Sequence, residues 1–300
     1  MNKEIRQNSP QAWWLAARPK TLTGAAVPVM MALSLAWSDA TLERPFRWVP
    51  AALCLLFAFL MQIDANFVND YFDFRKGTDD EHRLGPRRAC AQGWVTPRAM
   101  RMAMGLTTAI ACLTGLPLIC YGGVEMILVG LCCVVFCFLY TTVLSYKGMG
   151  DVLVLVFFGL VPVMLTYYLQ TGRVTSDVFV ASVACGLVID TLLVINNYRD
   201  RDNDRRTGKN TLVVKIGEKA TERLFLLLVV AACLLGLWLL KNGRAAAFLL
   251  PLFYLVLHIR TWRRMKRIRH GKALNLILGE NARNMFLYGL LFSAGVLFGC

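Results

Sequence analysis

The sequence predicts an all-α, polytopic membrane protein built as a bundle of nine transmembrane helices. Of its 300 residues, 57% are hydrophobic, and the mean hydropathy is +0.51, whereas soluble domains contain roughly 45–50% apolar residues. These residues are collected into runs that approach the length of about 20 residues that a helix needs to cross a bilayer. No low-complexity linker divides the chain, so we expect residues 1–300 to form a single membrane domain.

The elements follow in order from the apolar runs and the polar segments between them. Residues 1–20 are polar and charged, and the first run is read as a retained span because eight more follow it. Residues 74–97 and 201–222 contain Gly, Pro and mixed charge, which predicts two long inner loops close to a site. The nine predicted spans are approximately 21–38, 49–69, 99–119, 124–142, 152–169, 177–196, 224–240, 245–259 and 284–299.

The net charge of +14 could indicate a nucleic-acid partner, but the positions of the basic residues argue against it. With nine spans and an inner N-terminus, the outer loops contain five of the 33 lysines and arginines, and all the others fall in inner segments. This asymmetry follows the positive-inside rule and places both long loops at the cytoplasmic face. The basic run from Arg260 to Lys272 is predicted to contact lipid headgroups in preference to nucleic acid. The five outer residues are Arg44, Arg47, Arg173, Lys241 and Arg244.

Cysteine and histidine give no sign of a metal or redox centre. The ten cysteines are mostly scattered through apolar spans, and none forms a CxxC pair, so they are interpreted as small buried hydrophobic residues. The three histidines, His82, His258 and His270, share no spacing that is typical of metal ligands.

Two clusters of Asn and Asp lie where predicted membrane helices run out into basic loops. Carboxylates are costly next to hydrocarbon, so two such clusters indicate a shared charged ligand. Within each cluster, spacings of four, seven or eight residues bring the polar side chains to one helix face. Their hard oxygen ligands suit Mg²⁺, which usually takes one or two carboxylates and completes its shell with water and phosphate oxygens. Two such faces could hold a diphosphate between them. The clusters are Asn66, Asp70 and Asp73, and Asn196, Asp200 and Asp204.

An alternative interpretation is that the clusters are ordinary polar ends of transmembrane helices, with Asp70 and Asp200 as solvated caps paired to neighbouring arginines. A bound diphosphate would also need positive charge, for which Lys147, Arg18, Arg201 and Lys209 are candidates. For Arg18 the alternative is anchoring at the inner membrane surface, and for Arg201 and Lys209 it is ordinary loop charge. Asp79, further along the first loop, is a plausible binding residue.

Longer motifs in the chain resemble the UbiA-type intramembrane aromatic prenyltransferases, and more closely the branch that prenylates 1,4-dihydroxy-2-naphthoate. The resemblance runs from the Ala17-Arg-Pro-Lys-Thr-Leu22 segment to about Gly295. Its strongest stretches are Asn66 to Asp79 with Arg83-Leu-Gly-Pro-Arg87, Gly150 to Thr171, and Ile195-Asn-Asn-x-Arg-Asp200-x3-Asp204-x3-Gly208-Lys-Asn-Thr-Leu212.

The resemblance implies a nine-helix bundle whose two Asp-rich motifs bind Mg²⁺ and a prenyl diphosphate. A Tyr/Lys pair near the diphosphate is expected at Tyr140 and Lys147. Family members often have an acid four residues after the equivalent of Asp73, where this chain has Gly77. The residues expected to act in catalysis are Asp70, Asp73, Asp200, Asp204 and Lys147, and the four aspartates are also the expected metal ligands. The residues expected to bind substrate are Asn66, Asn69, Asn196, Arg18, Tyr140, Asp79, Arg201 and Lys209.

The resemblance further implies transfer of a polyprenyl group to 1,4-dihydroxy-2-naphthoate with loss of CO₂ and diphosphate, in menaquinone biosynthesis at the bacterial inner membrane, with the site facing the cytoplasm. The same chemistry on 4-hydroxybenzoate, which would keep its carboxylate, stays open and differs in product mass. A transporter is a more distant alternative, and its acids would be expected near the membrane midplane rather than at helix ends. Prenyl chain length and oligomeric state are not predicted.

Overall fold

The computed structural model describes residues 5–77 and 83–299, and this part of the chain is helical and contains no β-strand. Short 3₁₀ and π segments connect some of the helices. The α-helices are α1 Pro10–Ala17, α2 Leu22–Ser38, α3 Trp48–Arg75, α4 Pro97–Gly115, α5 Ile119–Gly122, α6 Glu125–Leu139, α7 Gly150–Val154, α8 Val161–Thr171, α9 Ser176–Arg206, α10 Leu212–Lys241, α11 Ala245–Leu249, α12 Leu252–Ile268 and α13 Leu274–Phe298.

The helices confirm the predicted membrane bundle. Eight helical stretches among the described residues are long and apolar enough to cross a membrane, and α13 adds a further helix of 25 residues where the ninth span was expected. Several spans are interrupted: α7 and α8 form one stretch from Gly150 to Thr171, and α11 and α12 form another from Ala245 to Ile268. The prediction of nine helices is therefore approximately correct.

The predicted ends of the second and sixth spans were wrong, and the difference matters for the site. Helix α3 continues past residue 69 to Arg75, and α9 continues past residue 196 to Arg206. Both acidic clusters therefore lie within helices. The predicted loop 201–222 shrinks to residues 207–211, since α10 begins at Leu212 and contains only a kink at Gly217, where φ is +77°. The hydropathy falls before the helix ends, which is why composition placed the boundaries too early.

Helix α9 lies at the centre of the bundle. Of the most apolar 18-residue window of α9, 67% is buried inside the protein. The corresponding share is 6% for the stretch Glu125–Lys147, whose apolar side chains face outward. Helices α2 and α13, the first and last long helices, pack closely together: a Cβ on Gly289 would lie 2.9 Å from the Val27 side chain. Such close approach through small residues is typical of membrane helix interfaces.

Glycines also bring the α7–α8 stretch against α9. A Cβ on Gly159 would lie 2.6 Å from the backbone oxygen of Ser182, and one on Gly186 would lie 2.7 Å from Leu155. The segment Leu155–Leu160 is a π-helix, as is Tyr140–Leu144 before it. π-Helical turns are frequent at functional sites because they redirect side chains within a helix. Here the contact fixes α7 and its Asp151 beside α9.

An ion-pair network, which we call the Arg244 clamp, closes the end of the bundle opposite the acidic clusters. The Arg244 guanidinium contacts Asp39, after α2, and lies 3.2 Å from Asp177 at the start of α9. Trp238 and Asn242 also donate to Asp177, at 3.1 and 2.6 Å. The clamp joins three parts of the chain that are distant in sequence.

Candidate active site

The last turns of α3 and α9 bring the two acidic clusters to the same end of the bundle, and the segment between α3 and α4 connects them. This connecting segment, residues 83–96, contacts both helices. The Ala89 and Cys90 amides reach α3, and Gly85 lies against Arg199 of α9, since a Cβ there would be 2.7 Å from the Arg199 guanidinium. We call residues 83–96 the bridging loop.

Asp70 is the anchor of the bridging loop. Its Oδ2 accepts a hydrogen bond from the Ala89 amide and its Oδ1 from the Cys90 amide, each at 2.8 Å. Arg18 Nη2 lies 3.6 Å from Oδ2, and the carboxylate is fully buried. Both oxygens of Asp70 therefore accept hydrogen bonds from the protein, and its expected role as a metal ligand stays a prediction.

The other polar residues of the first cluster hold neighbouring segments in place. Asn66 donates to the Ala17 carbonyl and to Thr21 Oγ1, both at 2.9 Å, and so fixes the N-terminal segment that carries Arg18. Asn69 accepts a hydrogen bond from Thr141 at 2.6 Å. Arg18 itself has left-handed backbone angles, with φ at +50°.

Asp73 points to the bridging loop through an ion pair with Arg88 at 3.1 Å. Arg88 is buried although it lies in a loop, and a buried guanidinium needs carboxylate partners. Arg88 does not stand out in the sequence, because it is one of several arginines in a basic loop. Its spacing from Asp73 carries no periodic signal, so only the folded loop identifies it.

In the second cluster, Arg199 binds two polar side chains, Asn196 and Asp200. The sequence did not predict Arg199 as a site residue. Its Nε and Nη2 bind the two oxygens of Asp200 at 2.8 and 2.5 Å, and Nη2 also donates to Asn196 at 2.7 Å. Nη1 donates to Asn275 of α13 at 2.8 Å. The Arg199 side chain is 1% exposed. Arg18 lies beside Asp70 and Arg199 binds Asp200, as the alternative of paired helix caps expected, but neither carboxylate is largely solvent-exposed.

Asp204 differs from the other acids because one of its oxygens is unsatisfied. Its Oδ2 is buried and accepts no hydrogen bond from the described residues, while Lys209 Nζ lies 4.0 Å from Oδ1. A buried, unpartnered carboxylate oxygen is costly, so this atom is suited to a cation that enters with the ligand.

Two lysines converge on Tyr146 beside the acids. Lys76 Nζ lies 3.8 Å from the centre of the Tyr146 ring and donates to the Thr142 carbonyl at 2.8 Å, and Lys209 Nζ lies 5.8 Å from the same ring. Burial lowers the pKa of Lys76, an effect that Asp73 opposes and Lys209 reinforces. Lys76, directly after α3, was not selected from the sequence.

Tyr140 lies between the acidic clusters and the interior. It lies near four carboxylates, Asp151, Asp190, Asp73 and Asp204. It lines a cavity together with Ser145, Gly148, Gly150, Asp151, Asn197, Lys209, Thr211 and Leu212. Lys147 is exposed at the edge of this region, and its carbonyl accepts a hydrogen bond from Lys215 at 2.8 Å.

Two further residues, Arg201 and Asp79, were expected at the substrate site. Arg201 was predicted to bind substrate, but its side chain is buried on the other side of α9, where it donates to Glu218 and to the Arg269 carbonyl and stacks on Tyr198 at 4.3 Å. Adjacent residues on a helix point about 100° apart, which separates Arg201 from Asp200. Asp79 lies outside the described residues.

The donor set fits Mg²⁺ in chemistry, although the described residues contain no preformed group of three His, Cys, Asp or Glu side chains at metal-binding distance. Asp73, Asp200 and Asp204 offer hard oxygens, and Asp204 has a buried oxygen without a partner. Because Mg²⁺ keeps waters and takes substrate phosphates as ligands, it does not need three preorganised carboxylates.

The fold and the paired acidic helix ends define an intramembrane transferase, and comparison with known proteins identifies the class. The profile of the UbiA prenyltransferase family matches residues 25–290, and the chain belongs to this family. It is 34% identical to the 1,4-dihydroxy-2-naphthoate octaprenyltransferase of Escherichia coli (strain K12) over 95% of each chain. It is 33% identical to the enzyme of the same name from Mycobacterium tuberculosis, over 96% of this chain and 97% of the other.

Solved structures support the fold. A UbiA homolog from Archaeoglobus fulgidus, determined with GPP and Mg²⁺ bound, aligns with a TM-score of 0.65 at 16% identity, covering 94% of this chain and 99% of that one. The apo structure of a UbiA homolog from Aeropyrum pernix K1 aligns with a TM-score of 0.67 at 16% identity, covering 92% and 97%. Family membership removes the transporter alternative.

Proposed function

We propose that this membrane enzyme transfers a polyprenyl group from its diphosphate to 1,4-dihydroxy-2-naphthoate, releasing diphosphate and CO₂ and forming demethylmenaquinol. The observation that carries the proposal is the bridging loop, which joins the two acidic helix ends, brings Arg88 to Asp73 and lies against Arg199 of α9. The acceptor is supported by full-length relatives that are named for it.

Asp73, Asp200 and Asp204 would hold Mg²⁺, with Asn69 and Asn196 beside them. A bound Mg²⁺ would neutralise charge on the departing diphosphate. Arg88 and Arg199 fix the carboxylates of Asp73 and Asp200, while Lys76, Lys209 and Lys147 supply positive charge around them. Preorganised charge of this kind stabilises a leaving group more effectively than water does. Arg18 and Asn66 support the first cluster through Asp70 and the N-terminal segment.

The reaction also requires that water is kept away. As the bond between the allylic carbon and diphosphate oxygen breaks, the electron-rich ring attacks that carbon through the ring carbon that bears the carboxylate. Loss of CO₂ then restores the aromatic ring. The bridging loop and the apolar spans shield the allylic cation, which water would otherwise capture. Apolar surface between helices accommodates the isoprenoid tail because only the diphosphate needs polar ligands.

The location follows from the same proposal. The excess of Lys and Arg in segments at the acidic end supports an active site that faces the cytoplasm, in the inner membrane of a bacterium. A diphosphate made in the cytoplasm would then reach the site directly.

The proposal is tested with membranes that contain Asp73→Asn or Asp204→Asn, supplied with Mg²⁺, a polyprenyl diphosphate and 1,4-dihydroxy-2-naphthoate. We expect kcat to fall by about 100-fold or more, the scale of losing a preorganised charge contact, and the wild-type product to have lost CO₂ by mass. Asp202→Asn is the matched control, because Asp202 lies on the same helix end but its side chain is 68% exposed. Turnover of Asp204→Asn at the wild-type rate, or a product that keeps its carboxylate, would contradict the proposal.

A further inference from the structure

A second pair of carboxylates, Asp151 and Asp190, lies deeper in the bundle than the acids discussed above. Asp190 precedes Asp200 by ten residues on the continuous helix α9, which corresponds to about 15 Å at 1.5 Å per residue. Asp151 is the second residue of α7. The two carboxylates are close enough to interact electrostatically. From sequence, Asp190 had no identifiable partner, and the packing of α7 on α9 provides one.

This pair lacks hydrogen-bond donors. Both oxygens of Asp151 and the Oδ1 of Asp190 are buried and have no hydrogen-bond partner among the described residues. Asp190 as a whole is 5% exposed. Buried polar atoms are nearly always hydrogen-bonded, and an exception calls for an explanation. Asp70 shows the contrast, because its two oxygens accept hydrogen bonds from two backbone amides. A ligand with hydrogen-bond donors would satisfy the unpaired carboxylate oxygens of Asp151 and Asp190.

The pair is connected to the transfer site by the cavity that Tyr140 lines. Asp151 lines this cavity, and so do Asn197 and Lys209. Tyr140 lies near both deep carboxylates and near Asp73 and Asp204. Gly150 packs closely on α9, since a Cβ there would lie 3.1 Å from the Leu193 side chain. Asp151 therefore borders the same cavity as Asn197 and Lys209, and Asp190 lies near Asp151.

The charge of the pair restricts what it can bind. Two carboxylates repel a diphosphate, and an isoprenoid tail has no donors to offer them. A neutral hydroxyl on an aromatic ring donates a hydrogen bond, and carboxylates are strong acceptors. In a 1,4-dihydroxy-2-carboxy aromatic acceptor, the 4-hydroxyl is the donor remote from the acceptor's own carboxylate, which the pair would repel.

We propose that Asp151 and Asp190 form an acceptor subsite that binds the 4-hydroxyl of the dihydroxy-aromatic acid and orients the ring. The acceptor carboxylate then points away from the pair, toward Lys209, and its ring carbon faces the departing diphosphate. This inference rests on the proposed function for the identity of the acceptor. In it, Asp151 and Asp190 bind and position the acceptor and take no part in covalent chemistry.

Asp190→Asn and Asp151→Asn test the subsite in membranes with Mg²⁺, polyprenyl diphosphate and 1,4-dihydroxy-2-naphthoate. We expect KM for the diol to rise about 10-fold or more, since hydrogen bonds to charged groups contribute roughly 1.5–3 kcal/mol, while KM for the prenyl diphosphate stays the same. The competitor 1-hydroxy-2-naphthoate, which lacks the 4-hydroxyl, should inhibit wild type and variants with the same Ki. Asp64→Asn, a buried acid paired with Thr108, is the matched control and should leave the KM for the diol unchanged.

Thermal stability provides a second readout. Replacing a buried carboxyl group that has no hydrogen-bond donor by a neutral amide should raise the Tm of the detergent-purified protein, whereas loss of a structural contact would lower it. An unchanged KM for the diol, an equal weakening of the diol and the competitor, or a rise in KM for the prenyl diphosphate would each overturn the subsite. If wild type itself does not turn over 1,4-dihydroxy-2-naphthoate, the proposed function fails. If wild type does and the variants match it, only the subsite fails.

Discussion

Asp70 and Asp73 are three residues apart on one helix, yet their carboxylates have different partners and different roles. Asp70 accepts hydrogen bonds from two consecutive amides and is fully buried, whereas Asp73 has an ion pair with Arg88 and retains some exposure. A carboxylate that binds two backbone amides fixes the conformation of the chain that donates them. At the scale of the residue, we therefore assign Asp70 as a positioning residue of the bridging loop.

This assignment predicts how Asp70→Asn behaves. An amide side chain can accept from only one of the two amides, and its NH₂ group would face the other donor. We expect a loss of about 1–3 kcal/mol in the free energy of unfolding, measured as a lower Tm, together with reduced activity. The Mg²⁺ concentration for half-maximal activity should stay at the wild-type value. A raised Mg²⁺ requirement without loss of stability would instead make Asp70 a metal ligand.

At the scale of structural elements, the bridging loop connects three helices. It contacts α3 through Ala89 and Cys90 and α9 through Gly85, and the Leu84 carbonyl accepts a hydrogen bond from Asn275 of α13 at 2.7 Å. Three helices therefore converge on a segment without regular secondary structure. The absence of a side chain at Gly85 is what permits the Arg199 guanidinium to lie against the backbone.

Gly85→Ala should damage the site with little effect on the bundle. The new Cβ would lie 2.7 Å from Arg199 Nη2, so the guanidinium must shift and release Asp200 or Asn196. We expect kcat/KM to fall about 10-fold or more, because misplacement by about 1 Å can cost 100-fold. Gly105→Ala, in α4, has no atom within 4 Å of the new methyl group and should keep full activity. Equal activity of the two variants would show that the contact with Gly85 is unimportant.

At the scale of the whole molecule, the two ends of the bundle are built differently. The acidic end contains the paired clusters, and the opposite end is tied by the Arg244 clamp to Asp39 and Asp177. Helices α2, α9 and α10 run between these ends, so the clamp sets the relative position of elements that carry or support the site.

Arg244→Ala should loosen the bundle. It leaves Asp39 and Asp177 without their shared cation, and loss of hydrogen bonds to a charged group costs about 1.5–3 kcal/mol each before relaxation. We expect a lower Tm and, below the new transition, unchanged KM values for both substrates. Arg173→Ala, at an exposed position of the same end, is the control and should leave Tm in place. A changed KM in Arg244→Ala would mean that the clamp also shapes the site.

Periodicity and hydropathy were sufficient to predict the helices, because the bilayer imposes a length and a composition on each span. The acids at i, i+4 spacing were identified for the same reason, since a single helix fixes their relation. Arg88, Arg199 and Lys76 were missed because their partners are set by loop conformation or lie among many basic neighbours. Arg201 was misassigned because sequence proximity to Asp200 does not place two side chains on one face of a helix.

The contacts of Asn275 bear on the order in which the site forms while the chain is translated. Asn275 joins Arg199 of α9 to Leu84 of the bridging loop, and it lies about 200 residues after the first acidic helix in the chain. During translation, both Asp-rich helices therefore precede the side chain that ties Arg199 to the bridging loop. We expect this connection to form only after α13 has been translated.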